Sequence, residues 1–400
     1  MDGDDRRHLT TKQAANSPQA RARAVAGLLA ASAGQIEAAR ELTPDVLAAM
    51  HEARLFRVML PRALGGDEAD PATFAEVTEI LAAADASAAW CVGQGGGCAM
   101  SAAYLAPDAA QRLFGAPNAV LAWGAGIAGK AVAVPGGYRV TGTWTFASGS
   151  RHATILGGHS FVVEADGSPR LRADGRPADR TALFARSKAM IHDVWHVVGL
   201  KGTGSDTFEV RDLFVPEDET IDREAPEELQ VRTAAYRMNS GQAYSAAFGG
   251  LMLGIARGML GDLTTLATTK TPRGASSSMR ESPVFQSQIA RLEARLRSAR
   301  MYHLGTLRNA WAEVRATDAL SLDRRAEIRL AATHAISEGV EIVVEAYRAA
   351  GQTAIFLDNA FERRLRDALS ASQQAQGRPT HYTTVGRLLL GLPADTLMFM

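Results

Sequence analysis

The chain has 400 residues, of which 46% are hydrophobic and 22% are charged, as in an ordinary globular protein of two or three domains. Its 43 basic and 43 acidic residues cancel, which excludes the positive charge of a typical nucleic-acid-binding protein. Only two cysteines are present, Cys91 and Cys98, so a disulfide scaffold is excluded and a reducing cytoplasm is expected. The sequence predicts no zinc site, no membrane span of about 18 apolar residues and no secretory signal in its polar N-terminus.

The first predicted region, residues 1–118, is helical after a short polar start. Thr43 fits a helix N-cap, Pro44 the first helical position and Asp45 the first turn, and apolar residues follow at helical spacing. An alanine-rich stretch later in the region has GQGGG at 93–97 in its middle. These patterns predict an N-terminal helical domain.

Residues 119–228 change character, because glycine, valine and threonine increase and alternation replaces the helical period. A half-buried strand is predicted after the turn at 135–137. One face of this strand carries Tyr138, Val140, Gly142, Trp144 and Phe146. Further strands are expected near 155–164, 181–189 and 207–215. The region is predicted to be a central β-barrel-like domain.

Helical patterns return in the third region, residues 229–400. A small-residue helix over 241–268 is followed by a loop rich in serine and arginine, and Ser282-Pro283 then opens a long helix. Two more helices are predicted over 322–350 and 358–376. We predict a C-terminal four-helix bundle, which makes the whole chain an α+β fold with helices on either side of the sheet in sequence.

The stretch GTWTFASGSRHA at 142–153 is the candidate site. If the strand continues past Phe146, then Ser148 shares its face with Trp144, and the Ser-Gly-Ser segment adds hydroxyls and close backbone N–H groups. Flat apolar walls with polar edges suit a planar heteroaromatic cofactor such as a flavin. The alternative is that the two aromatic residues belong to the core and the segment is only a turn.

Four blocks of the sequence together resemble the acyl-CoA dehydrogenase superfamily along nearly the whole chain. They are LFRVMLPRALGG (55–66), GGYRVTGTWTFASG (136–149), VWHVVGLKGTGSDTFEVRDLFVPE (194–217) and ERRLRDA (362–368). The patterns W-x-F-x-SG followed by histidine, and WHVxGLKGTGS, are most similar to the two-component (group D) flavin-dependent monooxygenase branch. The resemblance implies a homotetramer in which a flavin lies between the β-domain and the helical bundle.

Two departures from the superfamily concern proton transfer. Dehydrogenases need a glutamate base for the weakly acidic proton of an acyl thioester, but the two positions that carry it in different subgroups are Ala375 and Ala247 here. The monooxygenase branch carries a histidine where this chain has Gln374, which forms hydrogen bonds but has no useful pKa. Either the substrate needs no base, or His381 folds back to serve, although an exposed loop position is its alternative interpretation.

The pattern and the resemblance together assign a set of cofactor contacts. They are Trp90, Gly124, Ala125, Gly126, Trp144, Ala147, Ser148, Gly149, Arg273, Gln352, Thr353, Gln374 and Ala375. Among them, Arg273 is the expected phosphate partner, while Gln352 and Thr353 would reach the cofactor of a neighbouring subunit. The candidate catalytic residues are Ser148, Ser150, His152 and Gln374. The alternatives are a core role for Trp90, a simple turn at 124–126 and a solvated side chain for Arg273.

The predicted function is a monooxygenase that uses reduced FMN or FAD and dioxygen to oxygenate a small aromatic or heteroatom-containing compound. No GxGxxG segment opens a helix after a strand, so a nicotinamide site is not supported and a separate flavin reductase is the expected partner. One alternative is an FAD-dependent acyl-CoA dehydrogenase. The other is a catalytically silent flavin-binding scaffold, which the missing glutamates and histidine favour.

Overall fold

The computed structural model describes residues 16–397, and most of the polar N-terminal segment, for which the sequence predicts no secretory signal, lies outside them. The first helices are α1 (Pro18–Ala39), α2 (Pro44–Glu52), α3 (Pro71–Ala84), α4 (Ala86–Ala99) and α5 (Pro107–Phe114). All but α4 begin with a proline, whose missing N–H is not needed in a first helical turn. Helix α4 follows Asp85, whose carboxylate accepts the Ala88 N–H at 2.8 Å. The predicted N-terminal helices are confirmed.

One sheet follows these helices. Its strands are β1 (Leu121–Trp123), β2 (Gly129–Val134), β3 (Gly137–Ala147), β4 (Ile155–Val163), β5 (Asp179–Ala185), β6 (Met190–His192), β7 (Asp206–Pro216) and β8 (Thr220–Ile221). The order is β6–β7–β3–β2–β4–β5–β8, and β1 pairs with β4. The β1–β4 and β2–β4 pairs are parallel, and the others are antiparallel.

The edges of the sheet decide its shape. Strands β6 and β8 do not pair with each other, so within residues 16–397 the sheet is open and the predicted barrel closure is not confirmed. The sequence predicts β3, β4, β5 and β7, which are the longest strands. It misses the others, since alternation over two to six residues is a weak signal.

The C-terminal part is helical, as predicted. Its helices are α6 (Ser240–Thr269), α7 (Pro283–Thr317), α8 (Leu322–Ala350), α9 (Phe361–Ser372) and α10 (Thr380–Leu389), of which the sequence does not predict α10. Helix α6 packs against α3 and α4 as well as against α7, α8 and α9. The N-terminal and C-terminal helices therefore share one hydrophobic core, and a separate four-helix bundle is not confirmed.

Helix α6 is long and apolar enough to cross a membrane by length and composition, but 78% of its most apolar window is buried inside the protein. Its glycines allow a close approach to α3. A Cβ atom at Gly250 would lie 2.2 Å from the Ala75 carbonyl oxygen, and one at Gly254 would lie 2.2 Å from the Glu79 carbonyl oxygen. Packing in the helical core thus accounts for the apolar sequence of α6.

Two of the sequence blocks fix the sheet against the helices. The Leu200 N–H, in the loop before β7, donates to Asp367 Oδ1 of α9 at 2.6 Å. The neighbouring Arg366 pairs with Glu37 of α1 at 2.6 Å. A Cβ atom at Gly199 would lie 2.2 Å from the Arg366 carbonyl oxygen, so this close contact requires glycine. The loop, α1 and α9 are thereby held together where the sheet meets the helices.

Candidate active site

Two predicted cofactor residues, Trp90 on α4 and Ser148 after β3, are in direct contact. Trp90 Nε1 donates to Ser148 Oγ at 2.9 Å, and Ser148 Oγ lies 2.7 Å from Ser205 Oγ. The Trp90 ring packs against Phe248 of α6 with a centroid distance of 4.4 Å, and part of the indole remains exposed. We call these four residues the Trp90–Ser148 junction, because they join α4, α6 and the sheet.

A β-bulge redirects strand β3 just before Ser148. The pairing with β7 shifts between Trp144 and Ala147, and Phe146 has a φ of +58°. As a result Trp144 is fully buried, whereas Phe146 is 63% exposed. The prediction that Trp144, Phe146 and Ser148 share one face is therefore wrong. The Phe146 ring stands at the surface, edge-on to the Trp195 ring at 6.1 Å.

Trp144 is a core residue of the sheet, which contradicts its predicted contact with a flavin. Its indole N–H donates to the His159 carbonyl at 2.9 Å, and its ring stacks on Phe208 with a centroid distance of 5.1 Å. Neighbouring glycines make room for the ring, since a Cβ atom at Gly158 would lie 2.7 Å from Trp144 Cζ2. With no exposed surface, Trp144 has no face for a ligand, and its alternative role in the core is the correct one.

The Ser-Gly-Ser segment turns into the protein after Ser148. Gly149 has a φ of +80°, and its N–H donates to the Thr203 carbonyl at 2.8 Å. Ser150 has 0% exposure, and its hydroxyl donates to the Gly204 carbonyl at 3.0 Å. This burial contradicts a direct catalytic contact for Ser150, which instead holds the segment to the loop before β7. Of the two predicted serines, only Ser148 belongs to the junction.

His152, a predicted catalytic residue, is close to the segment but is not charged. Its Nε2 is buried and has no hydrogen-bond partner among the described residues. Burial, together with the charges of His51 and Arg186, lowers the pKa of His152 to about 3. Burial also lowers the pKa of His159, on β4, well below its usual value. Both imidazoles are therefore neutral at physiological pH and cannot act as cationic acids.

The loop after β1 lies beside the end of β3. The Ala125 N–H donates to the Thr145 carbonyl at 2.9 Å, and a Cβ atom at Gly124 would lie 2.5 Å from Trp144 Cβ. Ala125 and Gly126 are exposed, and Gly126 has a φ of +72°. The loop therefore presents backbone groups next to the bulge, which suits the polar edge of a planar ligand.

Gln374 and Ala375 lie in the turn between α9 and α10. The Gln374 Nε2 atom is buried without a partner among residues 16–397, so it retains hydrogen-bonding capacity. The turn is fastened to α6 through Gln376, whose Oε1 accepts from Ser245 Oγ at 3.2 Å. His381 is not an exposed loop residue: it lies on α10 with 6% exposure, and its Nε2 is 2.6 Å from the Ala375 carbonyl oxygen. His381 therefore does fold back onto this turn.

Ala247, one of the two positions where dehydrogenases carry glutamate, lies on α6 with 0% exposure. Its carbonyl accepts from Thr78 Oγ1 at 2.8 Å, and its Cβ lies 3.3 Å from the place that a Cβ atom at Gly93 would take. A glutamate side chain has no room there. The structure thus offers no carboxylate at this position or at Ala375.

Three of the predicted contacts lie elsewhere in the chain. Arg273 is exposed in the loop between α6 and α7, and Gln352 is exposed at the end of α8. Thr353 Oγ1 accepts from Lys270 Nζ at 2.9 Å. Within the described residues, none of the three predicted contacts bonds to a member of the junction. Their roles toward phosphate groups and a neighbouring subunit's cofactor stay predictions.

A polar cluster one helical turn from the junction is missed by the sequence reasoning. Gln94 Nε2 of α4 donates to the Tyr244 hydroxyl of α6 at 3.3 Å, and Cys98 Sγ lies 3.5 Å from the same hydroxyl. A Cβ atom at Gly97 would lie 2.2 Å from the Tyr244 ring. The glycine run at 93–97 is the sequence signal for this cluster, since glycines on one helix indicate a closely packed neighbour.

The junction and the predicted cofactor residues around the end of β3 have side chains and backbone groups of the chemistry that a flavin needs. Trp90 and the exposed Phe146 offer aromatic surface, and the backbone of 125–126 is open to a ligand. Ser148 Oγ can share a hydrogen bond, and Gln374 Nε2 is a buried amide group that still lacks an acceptor within the described chain. These groups can bind and polarise a planar heteroaromatic ring, but none of them is a base at neutral pH.

Family domains and individual relatives both place the chain among acyl-CoA dehydrogenase-like proteins. Residues 13–114 match the family domain described as acyl-CoA dehydrogenase, N-terminal domain, and residues 246–377 match acyl-CoA dehydrogenase, C-terminal domain. The chain is 31% identical over 362 residues to the indole-3-acetate monooxygenase of Pseudomonas putida, which covers 90% of each protein. It is 28% identical over 370 residues to HsaA, a flavin-dependent monooxygenase oxygenase subunit of Mycobacterium tuberculosis, covering 90% of this chain and 92% of that one.

Solved structures agree with the sequence comparisons. The crystal structure of HsaA from M. tuberculosis has a TM-score of 0.86 at 26% identity, over 96% of this chain and 99% of that chain. XiaF from Streptomyces sp., in complex with FADH2 and glycerol, has a TM-score of 0.87 at 25% identity, over 98% and 99%. The resemblance seen in the sequence is confirmed. This chain belongs to the flavin-dependent monooxygenases of the acyl-CoA dehydrogenase superfamily.

Proposed function

We propose that this protein is the oxygenase component of a two-component system that transfers one oxygen atom of dioxygen to a small aromatic substrate. The observation that carries the proposal is the Trp90–Ser148 junction, where a partly exposed indole and a hydroxyl meet at the contact between helices and sheet. The names of two relatives support it, since one is an oxygenase subunit and the other acts on indole-3-acetate. A separate reductase would supply the reduced flavin.

The chain's own residues would bind and orient the flavin and keep water out. Phe146 and Trp90 would pack against its ring system, and Ser148 Oγ with the backbone of 125–126 would hold its polar edge. Gln374 Nε2 would donate to the ring or to the substrate. When bound, the reduced flavin would supply the electrons and the atoms that react with dioxygen. With flavin and substrate bound, the apolar helical core beside Trp90 would help to exclude water from the reacting atoms.

The candidate catalytic side chains named above are poor bases, and this limits the substrates that the site can oxygenate. Glutamine cannot take up a proton, burial makes His152 a weak base with a pKa of about 3, and His381 Nε2 is engaged by the Ala375 carbonyl. We therefore infer that its substrates are electron-rich aromatic compounds that react without prior deprotonation by the enzyme.

Reduced FAD is our choice over reduced FMN. XiaF, one of the structural relatives, is in complex with FADH2. The longer cofactor would also give a role to Arg273, and to Gln352 and Thr353 of a neighbouring subunit in a homotetramer. In this arrangement the chain would be organised as an N-terminal helical domain (1–118), a β-domain (119–228) and a C-terminal helical domain (229–400).

The proposal is tested by mixing the protein with anaerobically reduced FAD or FMN and then with labelled dioxygen and a panel of indoles and phenols. We expect reduced FAD to bind at least about tenfold more tightly than oxidised FAD, and one labelled oxygen atom to enter the product. Bleaching of a tightly bound oxidised FAD by acyl-CoA would support a dehydrogenase instead. Failure to bind flavin in either redox state would support a silent scaffold.

A further inference from the structure

Arg223, in the segment after β8, stands out among the arginines of the sheet region. Its guanidinium lies over the Trp123 ring of β1, 5.1 Å from the ring centroid, and the side chain is half-buried. Among residues 16–397 it has no hydrogen bond to another group and no ion pair. Every other arginine between positions 119 and 228 donates at least one hydrogen bond to a described residue.

The carboxylates next to Arg223 in sequence are already engaged by other arginines. Asp222 accepts from Arg172 at 2.7 and 3.0 Å, and Glu224 accepts from Arg176 at 3.0 Å. A half-buried guanidinium without an anionic partner is costly, because it gives up part of its hydration without a replacement. The positive charge of Arg223 is therefore available to an anion that is not part of the described chain.

The surroundings of Arg223 connect it to the candidate active site. Burial raises the pKa of Tyr104 and of Tyr244, and the nearby positive charge of Arg223 opposes both increases. Tyr244 is the residue that bonds to Gln94, and both side chains are only partly buried. Tyr104 and Tyr244 pack in the same hydrophobic cluster as Trp123, so the ring that lies under Arg223 adjoins the polar cluster.

Helices α4 and α6 set the distance between the polar cluster and the Trp90–Ser148 junction. Gln94 follows Trp90 by one turn of α4, and Tyr244 precedes Phe248 by one turn of α6, where one turn is about 5.4 Å. The Tyr244 and Phe248 rings stack with a centroid distance of 5.7 Å, so the two levels are continuous. The polar cluster therefore lies one helical turn from the junction along both α4 and α6.

We propose that Arg223 binds the carboxylate of an aromatic acid, and that this contact determines which substrates the site accepts. The inference rests on the proposed function, because it names the substrate class of the same site. A guanidinium is well matched to a carboxylate, since its fork of N–H donors can bond both oxygens. The aromatic face of Trp123 keeps the guanidinium in place when the anion is absent.

Binding measurements on the purified protein with reduced FAD test this proposal. The probes are indole-3-acetate and phenylacetate, each compared with its neutral amide. The wild-type protein should bind at least one of the acids about tenfold more tightly than the matching amide. Arg223→Gln should remove this preference and leave amide binding within about twofold, while Arg223→Lys should keep part of it. Arg211→Gln, at an 81% exposed arginine of β7, is the control and should change neither.

Equal affinity of the wild-type protein for every acid and its amide would overturn the proposal without any variant being needed. So would an Arg223→Gln protein that loses affinity for reduced FAD rather than for the acids, since Arg223 would then serve a flavin phosphate. If the protein bound the acids preferentially but formed no oxygenated product, only the proposed function would be contradicted. Product formation from the acids with the same efficiency in Arg223→Gln as in the wild-type protein would contradict only the role of Arg223.

Discussion

Ser148 and Ser150 are two residues apart but have different surroundings. Ser148 Oγ lies at the edge of the junction, bonded to Trp90 and Ser205, whereas Ser150 is enclosed and bonded to Gly204. We expect Ser148→Ala to weaken binding of reduced FAD by about 5-fold to 10-fold, because one hydrogen bond at a ligand contributes about 1 kcal/mol. Ser150→Ala should lower the free energy of unfolding by roughly 1–2 kcal/mol and leave flavin affinity within about twofold.

Anaerobic titration with reduced FAD and urea unfolding of both variants separate these effects. If Ser150→Ala weakened flavin binding as much as Ser148→Ala, the purely structural role that we give to Ser150 would be wrong. If neither variant affected binding, the junction would not be a flavin site.

Asp367 gives a pH dependence at the contact between α9 and the loop before β7. Burial raises its pKa from 3.8 to about 7, even though the Leu200 N–H favours the charged form. The folded protein therefore holds a proton that the unfolded chain releases near pH 3.8, so stability from this group is lost as the pH rises from about 4 to about 7. Asp367→Asn should accordingly stabilise the protein by roughly 1–3 kcal/mol more at pH 8 than at pH 5.

Urea unfolding at a series of pH values checks this prediction. Asp212→Asn removes a charge at an exposed position of β7 and is the matched control for general charge effects. A stability difference between Asp367→Asn and the wild-type protein that stays constant from pH 5 to pH 8 would show that Asp367 is ionised in the folded protein throughout.

Individual residues show how far sequence reasoning reaches at this scale. The resemblance brings Trp90 and Ser148 to the same cofactor, and the structure places them in contact, but no local pattern joins positions so far apart in the chain. Arg223 is missed altogether. Its significance is that the guanidinium has no hydrogen-bonding or ionic partner among residues 16–397, and a missing contact has no sequence signature.

At the scale of elements, strand β3 shows where alternation succeeds and where it fails. Val140 and Trp144 are buried and Thr143 is exposed, as the two-residue period predicts. The period breaks at Phe146, because a bulge with positive φ at a non-glycine residue shifts the following side chains to the other face. The same bulge brings Ser148 to the junction, so the local rule fails at the candidate site itself.

Helix α4 depends on its glycines to approach α6. A methyl group at Gly97 would overlap the Tyr244 ring, whereas a Cβ atom at Gly27 of α1 would have no atom of the described chain within 4 Å. We expect Gly97→Ala to reduce the free energy of unfolding by roughly 1–3 kcal/mol through overpacking. Gly27→Ala, the matched control in an exposed helix position, should increase it by about 0.5–1 kcal/mol. Chemical unfolding measures both, and a stabilised Gly97→Ala protein would mean that α4 and α6 are not in close contact.

At the scale of the whole molecule, the end of α8 carries an apolar surface that the described chain does not cover. Ile355, Phe356 and Leu357 are 62%, 58% and 81% exposed, and they begin three residues after the exposed Gln352. Three large apolar side chains in a row are unusual on the surface of a monomer and are typical of a contact with another subunit. This location agrees with the proposal that Gln352 and Thr353 reach a neighbouring subunit's cofactor.

A substitution that disrupts this apolar surface should then weaken both subunit association and flavin binding. If the proposed tetramer forms, we expect Leu357→Asp to shift it to smaller species in size-exclusion chromatography with light scattering, because a buried carboxylate opposes association. The same variant should weaken binding of reduced FAD by at least about fivefold, since the residues supplied by the neighbour are lost. Leu171→Asp, at a 58% exposed position between β4 and β5, is the control and should change neither property. A Leu357→Asp protein that dissociates but binds flavin normally would place the whole cofactor site within one chain, and a wild-type protein that is already monomeric would remove the proposed tetramer.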